Sequence, residues 1–89
     1  MKKRVSDYYG EFLVKNGIIM DFTVPGGGAM HLDDAFAHTD GMTCIFVQHE
    51  QSAAIAAEAY ARLHKQIPLV CVTTGPGGTN TLTGVVGAW

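Results

Sequence analysis

Two apolar stretches restrict the fold of this 89-residue chain more than any other feature. The sequences "MTCIFV" (residues 42–47) and "IPLVCVTT" (residues 67–74) are mostly apolar and show no alternation of polar and apolar side chains. Strands of this kind are buried on both faces, as in a parallel sheet that has helices on either side. A third run, "IIMDFTV" (residues 18–24), ends at a proline and three glycines and predicts a further strand.

Helical patterns separate these runs, so that strand and helix alternate along the chain. The first helix is predicted to begin at the N-cap Ser6 and to stop at Gly17, which suits the left-handed position after a helix. Its apolar face consists of Val5, Tyr8, Phe12 and Leu13. Further helices are predicted in "AMHLDDAFAH", "HEQSAAIAAEAYARLHK" and "TLTGVVGAW". The alternation predicts an α/β fold with helices on both faces of a parallel sheet, whose strands lie near residues 19–24, 43–48 and 68–74.

The chain is apolar for its length, with 47% hydrophobic and 16% charged residues. A short chain has much surface to cover, so this composition predicts that part of the surface is buried against other protein. The sequence reaches Trp89 without a helix stop signal. We therefore interpret residues 1–89 as the N-terminal part of a single larger domain.

Charge and cysteine content argue against several classes of function. The formal net charge is −2 and no basic patch occurs, so nucleic-acid binding is not expected. No apolar run approaches the ~18–20 residues of a membrane span, and the basic start is not followed by a signal-peptide core. Cys44 and Cys71 lie within apolar runs and are expected to be buried free thiols. These features predict a cytoplasmic protein without a membrane partner.

Unusual residues follow all three predicted strands, in "VPGGGAM", "QHEQ" and "TTGPGGTN". Ligands of open parallel sheets bind beyond the carboxyl ends of the strands, so these segments are predicted to form one site. Both glycine loops approach the dinucleotide-binding pattern G-x-G-x-x-G, but His31 and Asn80 stand where the third glycine belongs. Tight turns are the simpler interpretation of either loop alone, whereas the two loops around an acidic strand end favour a site.

Glu50 lies where the second apolar strand passes into the Ala-rich helix. A glutamate in the first turn complements the positive end of the helix dipole, and this is one interpretation. The other is that its carboxyl exchanges a proton with a ligand, which requires a shielded pocket and a tuned pKa. The neighbouring His49 is either a proton donor or a residue that packs or lies at the surface.

The segments "VPGGG", "HEQSAAIAAEAYAR" and "TTGPGGTN", in this order and spacing, resemble the N-terminal pyrimidine-binding domain of thiamine-diphosphate-dependent enzymes. Within that family they are most similar to acetolactate synthase and related 2-oxo-acid decarboxylases and carboligases. The resemblance extends from about Val5 to Trp89. It implies that Glu50 hydrogen-bonds N1′ of the cofactor's aminopyrimidine and favours the imino tautomer, whose exocyclic nitrogen removes the thiazolium C2 proton.

The same resemblance implies roles for the two glycine loops. The implied cofactor-binding residues are Val24, Pro25, Gly26, Glu50, Thr74, Pro76 and Asn80, and the implied substrate-side residues are Gly28 and Ala29. Glu50 is the implied catalytic residue. No metal ligand is expected within the chain.

The resemblance also implies what this chain requires from elsewhere. In the family, the diphosphate and Mg²⁺ bind to a separate domain of a neighbouring subunit, at a G-D-G…N-N motif that this sequence lacks. The resemblance therefore implies a homo-oligomer (dimer or tetramer). It also implies a 2-oxo-acid substrate such as pyruvate, and FAD is possible in the parent protein. The chain alone is expected to be inactive. The alternative is a non-catalytic interaction or regulatory module on the same scaffold, and a G-D-G…N-N motif in the parent gene would distinguish the two.

Overall fold

The computed structural model describes residues 2–89, which form a three-stranded parallel sheet in the order β2–β1–β3 with helices around it. The elements in chain order are α1 (Val5–Lys15), β1 (Met20–Thr23), a 3-10 turn (Gly27–Ala29), α2 (Met30–His38), β2 (Thr43–Phe46), α3 (Glu50–His64), β3 (Leu69–Cys71), α4 (Pro76–Thr79) and α5 (Leu82–Ala88). Because all three strands run in one direction, their carboxyl ends lie along one edge. The predicted parallel α/β fold is confirmed.

Apolar side chains cover both faces of the sheet. On one face, a cluster joins α1 and α2 to β3 through Leu13, Ala29, Phe36 and Cys71. On the opposite face, Ala53 and Ala57 of α3 pack against Phe22 of β1. The Tyr60 ring also packs edge-on against Phe22, with 5.9 Å between the ring centroids. The central strand β1 contributes Met20 and Phe22 to the cluster on the α3 side, whereas its other two residues, Asp21 and Thr23, are polar and buried.

Helix α1 begins earlier than the sequence predicts. Its N-cap is Arg4, not Ser6, and no side chain caps the first turn. The Arg4 guanidinium instead binds the Asp7 carboxylate at 2.9 Å, and this pair holds the first turn from its outer side. The predicted stop is confirmed, because Gly17 takes a positive φ of 84° directly after the C-cap Asn16.

Within residues 2–89, many large apolar side chains are exposed to solvent. Of the predicted apolar face of α1, only Leu13 is buried, whereas Val5, Tyr8 and Phe12 are exposed. Helix α1 approaches the end of α2 closely at Gly10, where a Cβ would lie 2.3 Å from the Thr39 hydroxyl. Gly10 is not one of the residues of the predicted apolar face of α1. On the edge strand β2, Ile45 and Phe46 are exposed as well.

The second glycine loop is more regular than the sequence suggests. Residues Pro76–Thr79 form one turn of helix, which begins after Gly75 at a positive φ of 65°. Helix α5 then packs closely on α3, because a Cβ at Gly84 would lie 2.3 Å from the Cβ of Ala54. This contact places the second loop beside the start of α3.

Both cysteines are free thiols, as the sequence predicts. Cys71 is buried and Cys44 is half-buried. Burial raises the pKa of the Cys44 thiol to about 11 and that of Cys71 to about 12, so both are protonated and weakly reactive at neutral pH. None of the helices within residues 2–89 combines the length and the apolar character that a membrane span requires.

Candidate functional site

Glu50 is the first residue of α3, at the sheet edge where all three strands end. Its side chain is half-buried. The preceding residue, His49, has an extended backbone and caps the helix, because its Nδ1 accepts a hydrogen bond from the backbone N–H of Gln51 at 3.0 Å. His49 is otherwise exposed. The ring of His49 therefore fixes where α3 begins, and the carboxyl of Glu50 is left at the edge of the sheet.

Asn80, at the end of α4, contacts Glu50 directly. Its side-chain Nδ2 donates a hydrogen bond to Oε2 of Glu50 at 3.2 Å. The backbone N–H of Glu50 and then the Asn80 amide hold the pKa of the carboxyl below its ordinary value. Both donors stabilise the charged form, so Glu50 is ionised at neutral pH in this arrangement. Asn80 therefore orients the carboxylate and keeps one of its oxygens occupied.

Thr73, which follows β3, contacts both glycine loops. Its Oγ1 accepts a hydrogen bond from the backbone N–H of Gly28 at 3.0 Å. A Cβ at Gly26 would lie 2.5 Å from the Cβ of Thr73, and a Cβ at Gly77 would lie 2.9 Å from its Cγ2. The Cβ position of Gly77 is also 3.8 Å from Oε1 of Glu50. These glycines are required because the Thr73 side chain occupies the space that their own side chains would need.

A second set of glycines faces open space. At Gly27, Gly75 and Gly78, no heavy atom from elsewhere in residues 2–89, beyond the adjoining residues and the local helix backbone, lies within 4 Å of the position that a Cβ would take. Their backbone can be approached closely by a ligand, since no side chain intervenes. The sequence analysis gave no reason to distinguish these glycines. In the structure, one group packs against Thr73 and the other group faces open space at the sheet edge.

The other residues predicted for the site lie at the same edge but differ in exposure. Pro25, Thr74 and Pro76 are exposed, and Val24 is half-buried directly after β1. Ala29 is 6% exposed, and its methyl group belongs to the core cluster on the α2 side of the sheet. Any contact of Ala29 with a substrate would therefore come from its backbone.

Two residues that the sequence analysis missed hold the first glycine loop. Asp33 of α2 accepts a hydrogen bond from the backbone N–H of Gly26 at 3.2 Å, and Thr73 accepts the bond from Gly28. The only sequence feature that pointed to Thr73 as a site residue was its position immediately before Thr74 in "TTGPGG". No such feature pointed to Asp33, because a first-turn acid is common on helices.

Residues 3–89 match the family model for "Thiamine pyrophosphate enzyme, N-terminal TPP binding domain". The chain belongs to the thiamine pyrophosphate enzyme family. The acetolactate synthase large subunit of Buchnera aphidicola subsp. Schizaphis graminum is 42% identical over 77 residues, which cover 86% of the chain and 14% of that protein. That of Lactococcus lactis subsp. lactis is 40% identical over 73 residues, covering 82% and 13%. The acetolactate synthase isozyme 3 large subunit of Escherichia coli is 36% identical over 77 residues, covering 86% and 13%.

The chain thus spans about one seventh of the length of these relatives. Thiamine pyrophosphate (thiamine diphosphate) is the cofactor that the family name implies, and one end of it suits the site. An ionised carboxylate between two glycine turns, with open backbone at Gly27, Gly75 and Gly78, fits a flat ring that carries hydrogen-bonding nitrogens. Residues 2–89 contain no group of three or more His, Cys, Asp or Glu side chains that could hold a metal ion.

The contact between Asn80 and Glu50 gives a direct prediction for this thiamine pyrophosphate enzyme domain. We expect Asn80→Ala to raise the pKa of the Glu50 carboxyl, because one donor to its charged form is lost. Carbon-13 NMR titration of glutamate-labelled full-length protein measures this, with Glu50→Gln to assign the resonance. Thr79→Ala, an exposed change one residue earlier, should leave the titration unchanged. An unshifted Glu50 resonance in Asn80→Ala would show that the amide does not tune the carboxyl.

Proposed function

We propose that this chain forms the aminopyrimidine-binding part of a thiamine-diphosphate-dependent decarboxylase or carboligase similar to acetolactate synthase, with a 2-oxo acid such as pyruvate as substrate. The observation that supports this most directly is the Glu50 carboxylate, which is held by Asn80 at the open edge between two glycine turns. A structural acid in a first helical turn would not need a side-chain donor from a loop 30 residues away. The names of the relatives support the reaction class.

The bound cofactor supplies an acidic carbon at C2 and an electron sink for decarboxylation. Glu50 hydrogen-bonds N1′ of the aminopyrimidine in this proposal and shares a proton with that nitrogen. A ring that covers the carboxyl excludes water, and the loss of water raises the pKa of the Glu50 carboxyl. This effect opposes the backbone N–H of Glu50 and the Asn80 amide, whose hydrogen bonds lower that pKa. Proton sharing is efficient when the two groups have similar pKa values. The opposing effects allow Glu50 to be ionised before binding and to hold a proton afterwards.

The two loops supply the walls of the proposed pocket. Val24, Pro25 and Gly26 border the aminopyrimidine on the side of β1, and Thr74 and Pro76 border it on the side of β3. Gly28 and the backbone of Ala29 face the substrate.

The remaining parts of the enzyme are proposed to lie outside residues 1–89. The diphosphate and Mg²⁺ bind to a second domain from a neighbouring subunit, so the working enzyme is a homo-oligomer. FAD is possible in the parent protein, as is a cytoplasmic location.

Binding of the cofactor to the full-length protein that contains this chain tests the proposal. Titration with thiamine diphosphate and Mg²⁺ should give saturable binding of one cofactor per chain, and pyruvate should then release CO₂. Omission of Mg²⁺ should weaken binding, because the metal holds the diphosphate. A full-length protein that folds and assembles but binds no thiamine diphosphate would instead support the non-catalytic module.

The isolated 89-residue chain should behave differently from the full-length protein. It exposes large apolar side chains at Val5, Leu63, Ile67, Val86 and Trp89, and both β2 and β3 are edge strands. Exposed edges and apolar surface promote association, so we expect the chain to be oligomeric, aggregating or marginally folded, and not to bind the cofactor. Sedimentation velocity with and without thiamine diphosphate and Mg²⁺ measures this. A stable monomer that binds the cofactor tightly would require a diphosphate site within these residues.

A further inference from the structure

We propose that Thr73 is a positioning residue that sets the width of the gap between the two glycine loops, and thereby the fit of the aminopyrimidine beside Glu50. This inference rests on the proposed function. Thr73 follows the last residues of β3 and lies between the loop of residues 25–29 and the loop of residues 75–80. It is half-buried, and it contacts the first loop by a hydrogen bond from Gly28 and the second loop by packing against Gly77.

The contacts of Thr73 form a continuous path from the first loop to the catalytic carboxyl. Its hydroxyl oxygen accepts the N–H of Gly28 at 3.0 Å. Its Cγ2 lies 2.9 Å from the Cβ position of Gly77, and that same position lies 3.8 Å from Oε1 of Glu50. A displacement of Thr73 therefore moves the first loop relative to Gly77, the part of the second loop that lies near the carboxylate.

The first loop has two anchors, and they act at different points. Asp33 holds the N–H of Gly26 from α2, on the side of the sheet away from Glu50, and Thr73 holds the N–H of Gly28 from β3. The buried methyl group of Ala29 holds the C-terminal end of the loop on the α2 side, and the Thr73 hydroxyl is the side-chain contact that holds Gly28 from the other loop. Gly28 begins the proposed substrate-facing part of the loop, so the Thr73 hydroxyl fixes the half of the loop on which cofactor and substrate meet.

Three variants of the full-length protein separate the hydroxyl from the methyl group. Thr73→Val keeps the branched shape against Gly26 and Gly77 but removes the acceptor for Gly28, whereas Thr73→Ser keeps the acceptor and removes the methyl group. Thr43→Val makes the same chemical change on an exposed residue at the opposite end of the sheet. It serves as the control for a threonine-to-valine exchange.

Two measurements are made on each variant. Amide hydrogen exchange at Gly28 in the protein without added cofactor reports the hydrogen bond itself, and titration with thiamine diphosphate at fixed Mg²⁺ reports the pocket. For Thr73→Val we expect exchange at Gly28 and the Kd for the cofactor each to rise about tenfold, because a polar N–H loses its partner. Thr73→Ser and Thr43→Val should remain within about twofold of the wild type on both measurements, since neither removes a donor or acceptor from the site.

The outcomes are distinct. Faster exchange and weaker binding in Thr73→Val, both restored in Thr73→Ser, support the proposal. Unchanged cofactor binding in Thr73→Val would overturn it, and so would equal losses in the valine and serine variants, because the serine variant keeps the hydroxyl acceptor and would then fail to restore the site. A wild-type protein that binds no thiamine diphosphate would refute the proposed function instead, and the Gly28 exchange would still show whether Thr73 holds the loop.

Discussion

Glu50→Gln in the full-length protein is expected to slow hydrogen–deuterium exchange at C2 of bound thiamine diphosphate by about 10²–10⁴-fold, the usual contribution of a positioned acid or base. Glutamine has nearly the same shape and can still accept the Asn80 amide, so the fold and most of the cofactor affinity should persist. It cannot share a proton with N1′. The rate is measured by quenching the bound cofactor in D₂O at intervals and counting the remaining C2 protons by NMR.

Glu58→Gln provides the matched control, because Glu58 lies two turns further along the same helix. Its carboxylate pairs with Arg62, four residues on, at 2.8 Å, and its Oε1 lies 3.3 Å from the Cβ position of Gly87 in α5, away from the glycine loops. This variant should show wild-type exchange at C2. If Glu50→Gln also retained the wild-type rate, Glu50 would serve only to complement the start of the helix, and the proposed mechanism would fail.

The sequence predicted the parts of this fold that depend on local patterns. Strands apolar on both faces predicted a parallel sheet, and Gly17 predicted the end of α1, because each pattern follows from the chemistry of neighbouring residues. The position of Glu50 at a strand-to-helix junction followed in the same way. The start of α1 was wrong because Arg4 and Asp7 form an ion pair that no capping pattern anticipates.

Contacts between distant residues were beyond these patterns. Thr73 is a β-branched residue at the end of an apolar strand, which any strand pattern would accept, and its role depends on a bond to Gly28, 45 residues earlier. Asn80 was predicted to bind the cofactor from its place in the family motif, but its observed partner is Glu50. The sequence predicted that the three loops meet at one edge of the sheet, but which side chains touch there depends on the strand order β2–β1–β3.

Asp21 is a further residue whose surroundings only the structure shows. It lies in the central strand β1 and is 1% exposed. Its Oδ2 accepts a weak hydrogen bond from Sγ of Cys44 at 3.6 Å, and its Oδ1 has no hydrogen-bond partner within residues 2–89. Two other titratable groups lie on this side of the sheet, Cys71 and Asp33. Sγ of Cys71 donates a hydrogen bond to Oδ1 of Asp33 at 3.5 Å. A buried carboxylate with so few donors is costly to ionise.

Burial, with a smaller contribution from the charge of Asp33, raises the pKa of Asp21 to about 6. Against the value of 3.8 for an unperturbed carboxyl, the difference is worth about 3 kcal/mol of unfolding free energy. Between about pH 4 and pH 6, the folded protein holds a proton that the unfolded chain has already lost. The contribution of Asp21 to stability is therefore fully present below about pH 4, falls as the pH rises to about 6, and is constant above that.

We expect Asp21→Asn to remove this pH dependence. The free energy of unfolding of the variant minus that of the wild type should rise by about 3 kcal/mol between pH 4 and pH 7, because the amide does not ionise. Any fixed cost of leaving the new amide without a partner cancels in this comparison between the two pH values. Urea unfolding of the full-length protein, followed by hydrogen-exchange mass spectrometry of peptides that cover residues 20–23, measures the stability of this part of the fold.

Asp40→Asn, on the exposed turn before β2, removes one carboxylate without changing a buried group and should show no such rise. The same carboxyl bears on the proposed function, because β1 leads directly into the loop of residues 25–29. An ionised Asp21 weakens the strand that supports this loop, so the site should be held most firmly below about pH 4 and less firmly as the pH rises to about 6. A stability difference between Asp21→Asn and the wild type that is the same at pH 4 and pH 7 would show that Asp21 is ionised at no unusual cost, which would require a donor to Oδ1 from outside residues 2–89.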